Sequence, residues 1–529
     1  MNMIEDVGSG FNPYHKSMHL LELIEGLEIK EVKGDTHIDI KGITHNSKNI
    51  GDDHLFVAIK GSQKDGHNYL AEATSSGARA AIVEENQEVI KGVTIIKVPD
   101  TRIALAQISD YFYQHPSHKL KVIGITGTNG KTTTSYLLES ILKAAGYSPG
   151  VIGTIDYRFG RHHQDAFNTT PNSLDLQRIM KEMVDANISH LILEVSSHAL
   201  EQHRVEGLNF DVVVFTNLTP EHLDYHRSIE NYSKAKELLF TYYISQSSKE
   251  KTYAVINCDD SLGKFLCTVT PSQLFRYGLR EGVEIKLKDF RLRDDGLSAL
   301  VTTPDEEFHI RSSLLGTFNL SNILAAASVA ITQEIPNNAI TKGIANLATV
   351  PGRLERIRNK YNLTILVDYA HTRDALDHVV TMLRSLCQRR LITVFGCGGD
   401  RDKTKRGPMG NIATRKSDLT IITSDNPRSE NPMAIIDQIE AGVDHSIAKK
   451  YHLQELTGIN YFKGYLTIAD RREAIRRAVS LVQPGDILLI TGKGHEDYQI
   501  IGSQKYHFSD REEIREALKL RIPNRGIMH

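Results

Sequence analysis

Short runs of β-branched and aliphatic residues recur along the chain, and longer amphipathic stretches separate many of them. The runs are VIGIT (122–126), HLILEV (190–195), DVVVFTN (211–217), YAVIN (253–257), LTILVDYA (363–370), LITVFG (391–396), LTIITS (419–424) and DILLITG (486–492). Runs this short and this apolar predict strands covered on both faces. Parallel strands need crossovers, and helical patterns such as TTTSYLLESILKAAG supply them. The chain is therefore predicted to be α/β, built on parallel sheets.

Its 529 residues exceed one ordinary core. We divide it into three blocks. Residues 1–118 form a small α/β unit with runs such as LFVAI and AAIVEE, and QHPSHKLK (114–121) reads as a linker. A central block spans 119–349, and a last block spans 350–529, after Pro and Gly interrupt the pattern in ATVPGRLERI (348–357). Apolar residues make up 40% and charged residues 24%, the balance of a globular chain. A formal charge of -2 gives no general field for nucleic acid or membrane, so neither is expected as a partner. The N-terminus lacks a basic start and apolar run, and no stretch reaches about 18 apolar residues, so a cytoplasmic protein is expected. Cys258, Cys267, Cys387 and Cys397 form no C-x-x-C pair, and they read as free thiols of a reducing compartment.

Gly124-Ile-Thr-Gly-Thr-Asn-Gly-Lys-Thr132 lies between an apolar run and a helical pattern. A glycine-rich turn there aims backbone N–H groups at phosphate, and the helix start adds its positive dipole end. Lys131 can reach terminal phosphates, and Thr132 can offer its hydroxyl to Mg²⁺. The usual spacing places glycine where this chain has Ile125, so this is a variant P-loop. Such a loop implies a nucleoside triphosphate and leaves kinase, ATPase and switch all open.

Further motifs follow in order: Asn168-Thr-Thr-Pro171, Glu194-Val-Ser-Ser-His-Ala-Leu-Glu-Gln-His-Arg204, Thr216-Asn-Leu-Thr-Pro-Glu-His-Leu-Asp-Tyr-His226 and Tyr232-Ser-Lys-Ala-Lys236. Gly316-Thr-Phe-Asn-Leu-Ser-Asn322, Gly352-Arg-Leu-Glu355, Asp368-Tyr-Ala-His371, Gly396-Cys-Gly-Gly-Asp-Arg-Asp-Lys403, Asp425-Asn-Pro-Arg428 and Gly492-Lys-Gly-His-Glu496 complete the set. Together with TGTNGKTTT, this ordered set resembles the Mur ligases over nearly the whole chain. The resemblance implies a UDP-binding first domain, a central P-loop ATPase and a C-terminal Rossmann-like domain. It also implies ATP and Mg²⁺, a UDP-linked muramoyl dipeptide as carboxylate substrate, an acyl phosphate and attack by an amine. A monomer is expected.

Residue by residue, the resemblance gives ATP the loop Gly127, Thr128, Asn129, Gly130, Lys131, Thr132 and Thr133. It gives adenine Asn319, the γ-phosphate Arg353 and ribose Asp368, with Arg353 arriving as a lid closes. Mg²⁺ falls to Thr132, Glu194, His222 and Lys236. Glu194 is the best suited chemically, because Mg²⁺ prefers oxygen. Lys236 taken alone is a solvated helix charge beside Glu237. The family places a CO₂-derived carbamate on this lysine (N6-carboxylysine), whereas the offset of Lys234 from Tyr232 does not match. The nucleotide-linked substrate falls to Asn168, Thr169, Thr170, Ser196, Gln202 and Arg204, and in the first block to Ser47 and the loop Gly61–Gly66. Asn46-Ser47-Lys48 stands where the family commonly has Asp-Ser-Arg, and Arg373 where it often has proline.

In the family the form Asp425-Asn426-Pro427-Arg428 accompanies meso-diaminopimelate. That amino acid has a second carboxylate, which an arginine fork can grip bidentately. Arg401 adds a cation, and Glu496 with the Gly492 carbonyl would hold the distal ammonium. A site built this way disfavours L-lysine, because buried charges would be left unpaired. Two readings remain beside this one. A specialised relative could use another amine or carboxylate, with residues 448–470 as an insertion, or the chain could be a non-catalytic nucleotide-binding module.

Overall fold

The computed structural model describes residues 17–61, 64–88, 90–293, 295–456 and 463–521. Ser62 and Gln63 of the expected first-block loop, and 457–462 of the 448–470 segment, lie outside the described residues. The chain divides into two compact units. The first runs to Leu218 and includes His226–Ile285 and Leu324–Ile340; the second comprises Thr219–Tyr225, Lys286–Ile323 and the chain from Thr341 onward.

Besides the pair Met18–His19 and Asp39–Ile40, the first unit contains two larger sheets among the described residues. A five-stranded sheet has the order Glu31–Lys33, Thr94–Lys97, Ala78–Val83, His54–Val57 and Gly42–Thr44, parallel except at the Glu31–Lys33 edge. The other is centred on Lys121–Thr126, flanked by parallel His190–Glu194 and Val212–Phe215. Pro149–Ile152 extends it beyond His190–Glu194, and Tyr253–Asn257 and Gln273–Gly278 extend it beyond Val212–Phe215. The central strands are buried along nearly their whole length, as their continuous apolar runs predict. Their order brings the ends after Thr126, Ile152, Glu194, Phe215 and Asn257 to one edge, where a parallel sheet presents ligand-facing loops. The stretch 114–121 is not an open tether. Pro116–His118 is a short 3₁₀ turn with Ser117 fully buried, and the Lys249 ammonium donates to the Ser117 and Leu120 carbonyls.

The second unit contains a seven-stranded sheet in the order Glu355–Arg356, Thr364–Asp368, Ile487–Thr491, Leu391–Phe395, Leu419–Thr423, Gly464–Ile468 and Lys449–Lys450. All neighbours are parallel except the first pair. Gly464–Ile468 is thus a core strand, so only part of 448–470 stands apart from the sheet. From Lys286 onward the same unit holds an antiparallel trio, Ile285–Arg293, Gly296–Thr302 and Glu307–Ser312, of which only Ile285 falls in the first unit. No described helix is long and apolar enough to cross a membrane.

Candidate active site

In the first unit, the strand Lys121–Thr126 delivers the glycine-rich turn, and the helix Lys131–Ala144 leaves it. Gly127 has φ 145° and Gly130 has φ 90°, conformations that glycine adopts readily. The helix opens on Gly130 with no side-chain cap, so its dipole end meets the loop unscreened by a capping oxygen. The neighbouring strand end braces the loop. Thr216 Oγ1 donates to the Asn129 carbonyl at 2.6 Å, the Asn217 carbonyl accepts from Thr128 N at 2.8 Å, and Asn217 Oδ1 accepts from Asn129 N at 2.9 Å. Lys131 Nζ bends back onto the carbonyls of Gly127 and Thr128, at 2.7 and 2.9 Å.

This packing makes Gly127 irreplaceable. A Cβ there would lie 1.8 Å from Thr216 Oγ1. Gly127→Ala is expected to displace the loop and reduce ATP affinity by at least tenfold, with a thermal midpoint lowered by several degrees. Calorimetric titration with ATP and a melting curve test this.

Glu194 ends its strand and is 1% exposed. Its carboxylate accepts from Thr132 Oγ1 at 3.0 Å, Thr154 Oγ1 at 2.8 Å and Ser135 Oγ at 3.4 Å. Gly153 permits this approach, since a Cβ there would come within 2.4 Å of Glu194 Oε1. Thr154 also meets Thr169, hydroxyl to hydroxyl, at 3.1 Å. Thr170 is fully buried; its hydroxyl donates to the Glu194 carbonyl and accepts from Ser196 N. Arg204 donates to the Thr170 carbonyl at 2.8 Å and to Gln202 Oε1. Asn168 is exposed and receives the Tyr157 hydroxyl on its carbonyl. Of the residues expected to hold the nucleotide-linked substrate, Thr169, Thr170, Ser196, Gln202 and Arg204 thus join Glu194 in one hydrogen-bonded group, and Asn168 is held by Tyr157 instead.

Lys236 is not a solvated charge. It lies on the helix Ile229–Leu238, is 1% exposed, and sets its Nζ 4.5 Å from the centre of the Tyr232 ring. The Tyr232 hydroxyl meets Thr128 Oγ1 of the phosphate loop at 3.2 Å. Lys234 is exposed. In the same unit Ser47 opens a 3₁₀ turn after Gly42–Thr44, with Asn46 Oδ1 accepting from Lys48 N.

In the second unit, His222 is exposed, with a positive φ of 55° and its ring 3.8 Å from the Glu221 carboxylate. Arg353 rests its guanidinium 4.8 Å over the Tyr369 ring, and Tyr369 packs in turn against His371 and His495. Asp368 ends its strand. It accepts from Leu354 N at 2.7 Å and Ala370 N at 2.8 Å, and burial pushes its carboxyl above the ordinary value. Asn319 is buried, donating to the Leu315 carbonyl and accepting from Asn322.

Three adjacent strand ends of that sheet build the other expected group. Arg428 has φ 51° and donates from Nη1 to the Gly399 carbonyl at 2.8 Å. Burial first, and then the charge of Arg401, hold the Arg428 guanidinium below its ordinary value. Both side chains border Gly398, where a Cβ would lie 3.0 Å from Arg428 Nη1 and 3.8 Å from Arg401 Cγ, and two cations so close favour an added anion. Asn426 Nδ2 donates to Glu496 Oε2 at 2.9 Å, and the enclosed Lys493 ammonium donates to both Asn426 Oδ1 and Glu496 Oε2. Burial, opposed by Lys493, pushes Glu496 above the ordinary carboxylate value. The Gly399 backbone follows Pro427 so closely that a Cβ would lie 1.9 Å from the Pro427 carbonyl. Gly492 is likewise required, since a Cβ there would stand 2.6 Å from Asp425 Oδ2.

Sequence reasoning passed over Ser135, Thr154, Tyr232 and Lys493 as functional groups. Tyr232 and Lys493 stand inside quoted motifs; Ser135 and Thr154 give no sequence signal. Among the described residues, no group of three or more His, Cys, Asp or Glu side chains could hold a metal ion. A hard cation still fits beside Glu194, because the groups bonded to its carboxylate include the hydroxyl oxygens of Thr132, Ser135 and Thr154.

A glycine-rich turn opening an uncapped helix, beside an enclosed carboxylate at the next strand end, defines a P-loop nucleotide-binding protein of the α/β class. Residues 125–330 match the Mur ligase middle domain, 352–494 the Mur ligase glutamate ligase domain, and 39–113 the Mur ligase family catalytic domain. The chain belongs to the Mur ligase family. It is 45% identical over 504 residues to the UDP-N-acetylmuramoyl-L-alanyl-D-glutamate--2,6-diaminopimelate ligase of Geobacter metallireducens, covering 95% of this chain and 98% of that protein. It is 41% identical to the protein of the same name from Geobacillus kaustophilus, covering 95% of this chain and 100% of that one. A solved structure of a ligase with that name superposes with a TM-score of 0.68 at 29% identity, covering 96% of this chain and 99% of the other.

Proposed function

We propose that this chain is an ATP-dependent ligase that joins meso-diaminopimelate to the D-glutamate carboxylate of UDP-N-acetylmuramoyl-L-alanyl-D-glutamate, in peptidoglycan synthesis. The observation that supports it best is that Arg428, Arg401 and Asn426 all border Gly398, with Asn426 bonded to Glu496, because this offers both signs of charge to an amino acid with charged groups at both ends. A carboxylate attacking ATP approaches other negative charge, so fixed cations and dipoles must offset the repulsion. The chain supplies Lys131, the amides of residues 127–133 and the start of the helix Lys131–Ala144 for this. Thr132 and Glu194 would hold Mg²⁺, which would supply positive charge to offset the negative charge of the phosphates. Thr169, Thr170, Ser196, Gln202 and Arg204 orient the nucleotide-linked carboxylate, and Ser47 serves the uridine end. Asn319, Arg353 and Asp368 serve adenine, γ-phosphate and ribose, and His222 is a further metal ligand. The three blocks 1–118, 119–349 and 350–529 are the functional domains. ATP and a soluble nucleotide-linked substrate assign the reaction to the cytoplasm, and the chain works as a monomer.

Lys236 is the carbamylated lysine of this reading, and its burial beside Tyr232 supports that role. The neutral amine nitrogen forms a bond to the carbon of CO₂ and gives up one proton to water, leaving an anionic carbamate oxygen as ligand. Lys236→Ala is expected to lose activity by at least a hundredfold with no recovery in bicarbonate, whereas full activity would refute the role. The function itself is tested by phosphate release with the nucleotide-linked dipeptide, with and without diaminopimelate. Release that needs both supports it, and release that needs neither identifies a simple ATPase.

A further inference from the structure

Two of the four cysteines, unrelated by spacing, are brought together by the fold. Cys258 follows the strand Tyr253–Asn257, and Cys267 lies in the helix Ser261–Val269. Their Sγ atoms are 3.6 Å apart, both thiols are free, and both residues are only partly buried. A disulfide holds its sulfurs about 2.05 Å apart, so closure asks for a shift of roughly 1.5 Å. Lys264, one helical turn before Cys267 and on the same face, is exposed, so solvent reaches this side of the helix. The hydrogen bond from Cys258, opposed by burial and aided by the charge of Arg276, holds the Cys267 thiol below its ordinary value.

The pair adjoins the bracing of the phosphate loop. Asn257, one residue before Cys258, donates from Nδ2 to the Thr216 carbonyl at 2.6 Å, and Thr216 Oγ1 donates to the Asn129 carbonyl at 2.6 Å. Asp260, two residues after Cys258, caps the helix carrying Cys267 and accepts from Leu218 N at 2.8 Å. A covalent tie between strand end and helix would act on both braces.

We infer that Cys258 and Cys267 form a dithiol modification site that peroxide converts to a disulfide, loosening the nucleotide loop. The Cys267 thiolate attacks hydrogen peroxide, the O–O bond breaks, and Cys267 sulfenic acid forms with release of hydroxide. The Cys258 sulfur then attacks the sulfenic sulfur and the S–O bond breaks. Hydroxide leaves, and the thiol protons complete two waters. Two thiols are oxidised, one peroxide is reduced to water, and dithiothreitol reverses the change.

The test treats the full chain with one equivalent of hydrogen peroxide, blocks remaining thiols with iodoacetamide, and maps peptides by mass spectrometry. A linked peptide joining Cys258 to Cys267, with Cys387 and Cys397 alkylated, is the expected result. ATP affinity should fall several-fold in the oxidised protein and return with dithiothreitol. Cys267→Ser should give neither the link nor the fall, and the mapping of the unaltered chain stands even if that variant folds poorly. Sulfenic or sulfinic adducts without the linked peptide, or a link involving Cys387 or Cys397, would overturn the site. A linked peptide with unchanged ATP affinity would overturn its coupling to the loop.

Discussion

Glu194→Gln is expected to lower ATP-dependent turnover by roughly 10²–10³-fold, the cost of removing one preorganised electrostatic group. The substitution keeps the size of the side chain and removes its charge. The hydroxyls of Thr132, Thr154 and Ser135 that face the carboxylate can rotate to suit an amide, so the fold should survive. A hard cation would lose its one anionic protein ligand on this strand end. Initial rates at saturating ATP over a Mg²⁺ titration, with a melting curve beside them, separate the two effects. Lost turnover with an unchanged melting curve and a raised Mg²⁺ requirement is the expected pattern. Wild-type turnover would refute the role of Glu194.

Arg428→Ala is expected to lose most turnover with meso-diaminopimelate while nucleotide affinity stays unchanged. Truncating one partner of a buried charge pair costs about 2–5 kcal/mol. Arg428 is anchored by its bond to the Gly399 carbonyl, so its guanidinium is already oriented before any ligand arrives. L-Lysine lacks the second carboxylate, so its poor turnover should hardly change, and the ratio of kcat/KM for the two amino acids should collapse. A proportionate loss for both would mean that Arg428 only shapes the turn after Pro427.

The strands that deliver these groups were legible because they are buried on both faces. VIGIT and HLILEV stand out as apolar runs, and they became Lys121–Thr126 and His190–Glu194. The antiparallel trio was not legible in that way. Arg291, Ser298 and Arg311 oppose one another across its wet face, and Leu297, Ala299 and Ile310 alternate with them toward the core. The resulting sequence reads as mixed charge. The stretch 114–121 looked like a linker because it is polar, yet its polar groups are used inside the fold, as with Ser117.

The same logic applies to the site. Lys131, Thr132 and Glu194 follow apolar runs, and a strand end is a position that can be read. Thr154 and Ser135 support Glu194 through hydroxyls, which are too common in sequence to mark anything. Lys236 shows the reverse case. Its residue type and its neighbour Glu237 suggest a solvated charge, and only the packing of Tyr232 against it reveals an enclosed amine.

The most direct test of the ligase assignment is mass-spectrometric analysis of the product formed from ATP, Mg²⁺, UDP-N-acetylmuramoyl-L-alanyl-D-glutamate and meso-diaminopimelate. The expected result is a nucleotide-linked tripeptide carrying diaminopimelate on the D-glutamate carboxylate, with one ADP and one phosphate formed per product. ATP hydrolysis without that product, or an equal yield with L-lysine in place of diaminopimelate, would contradict it.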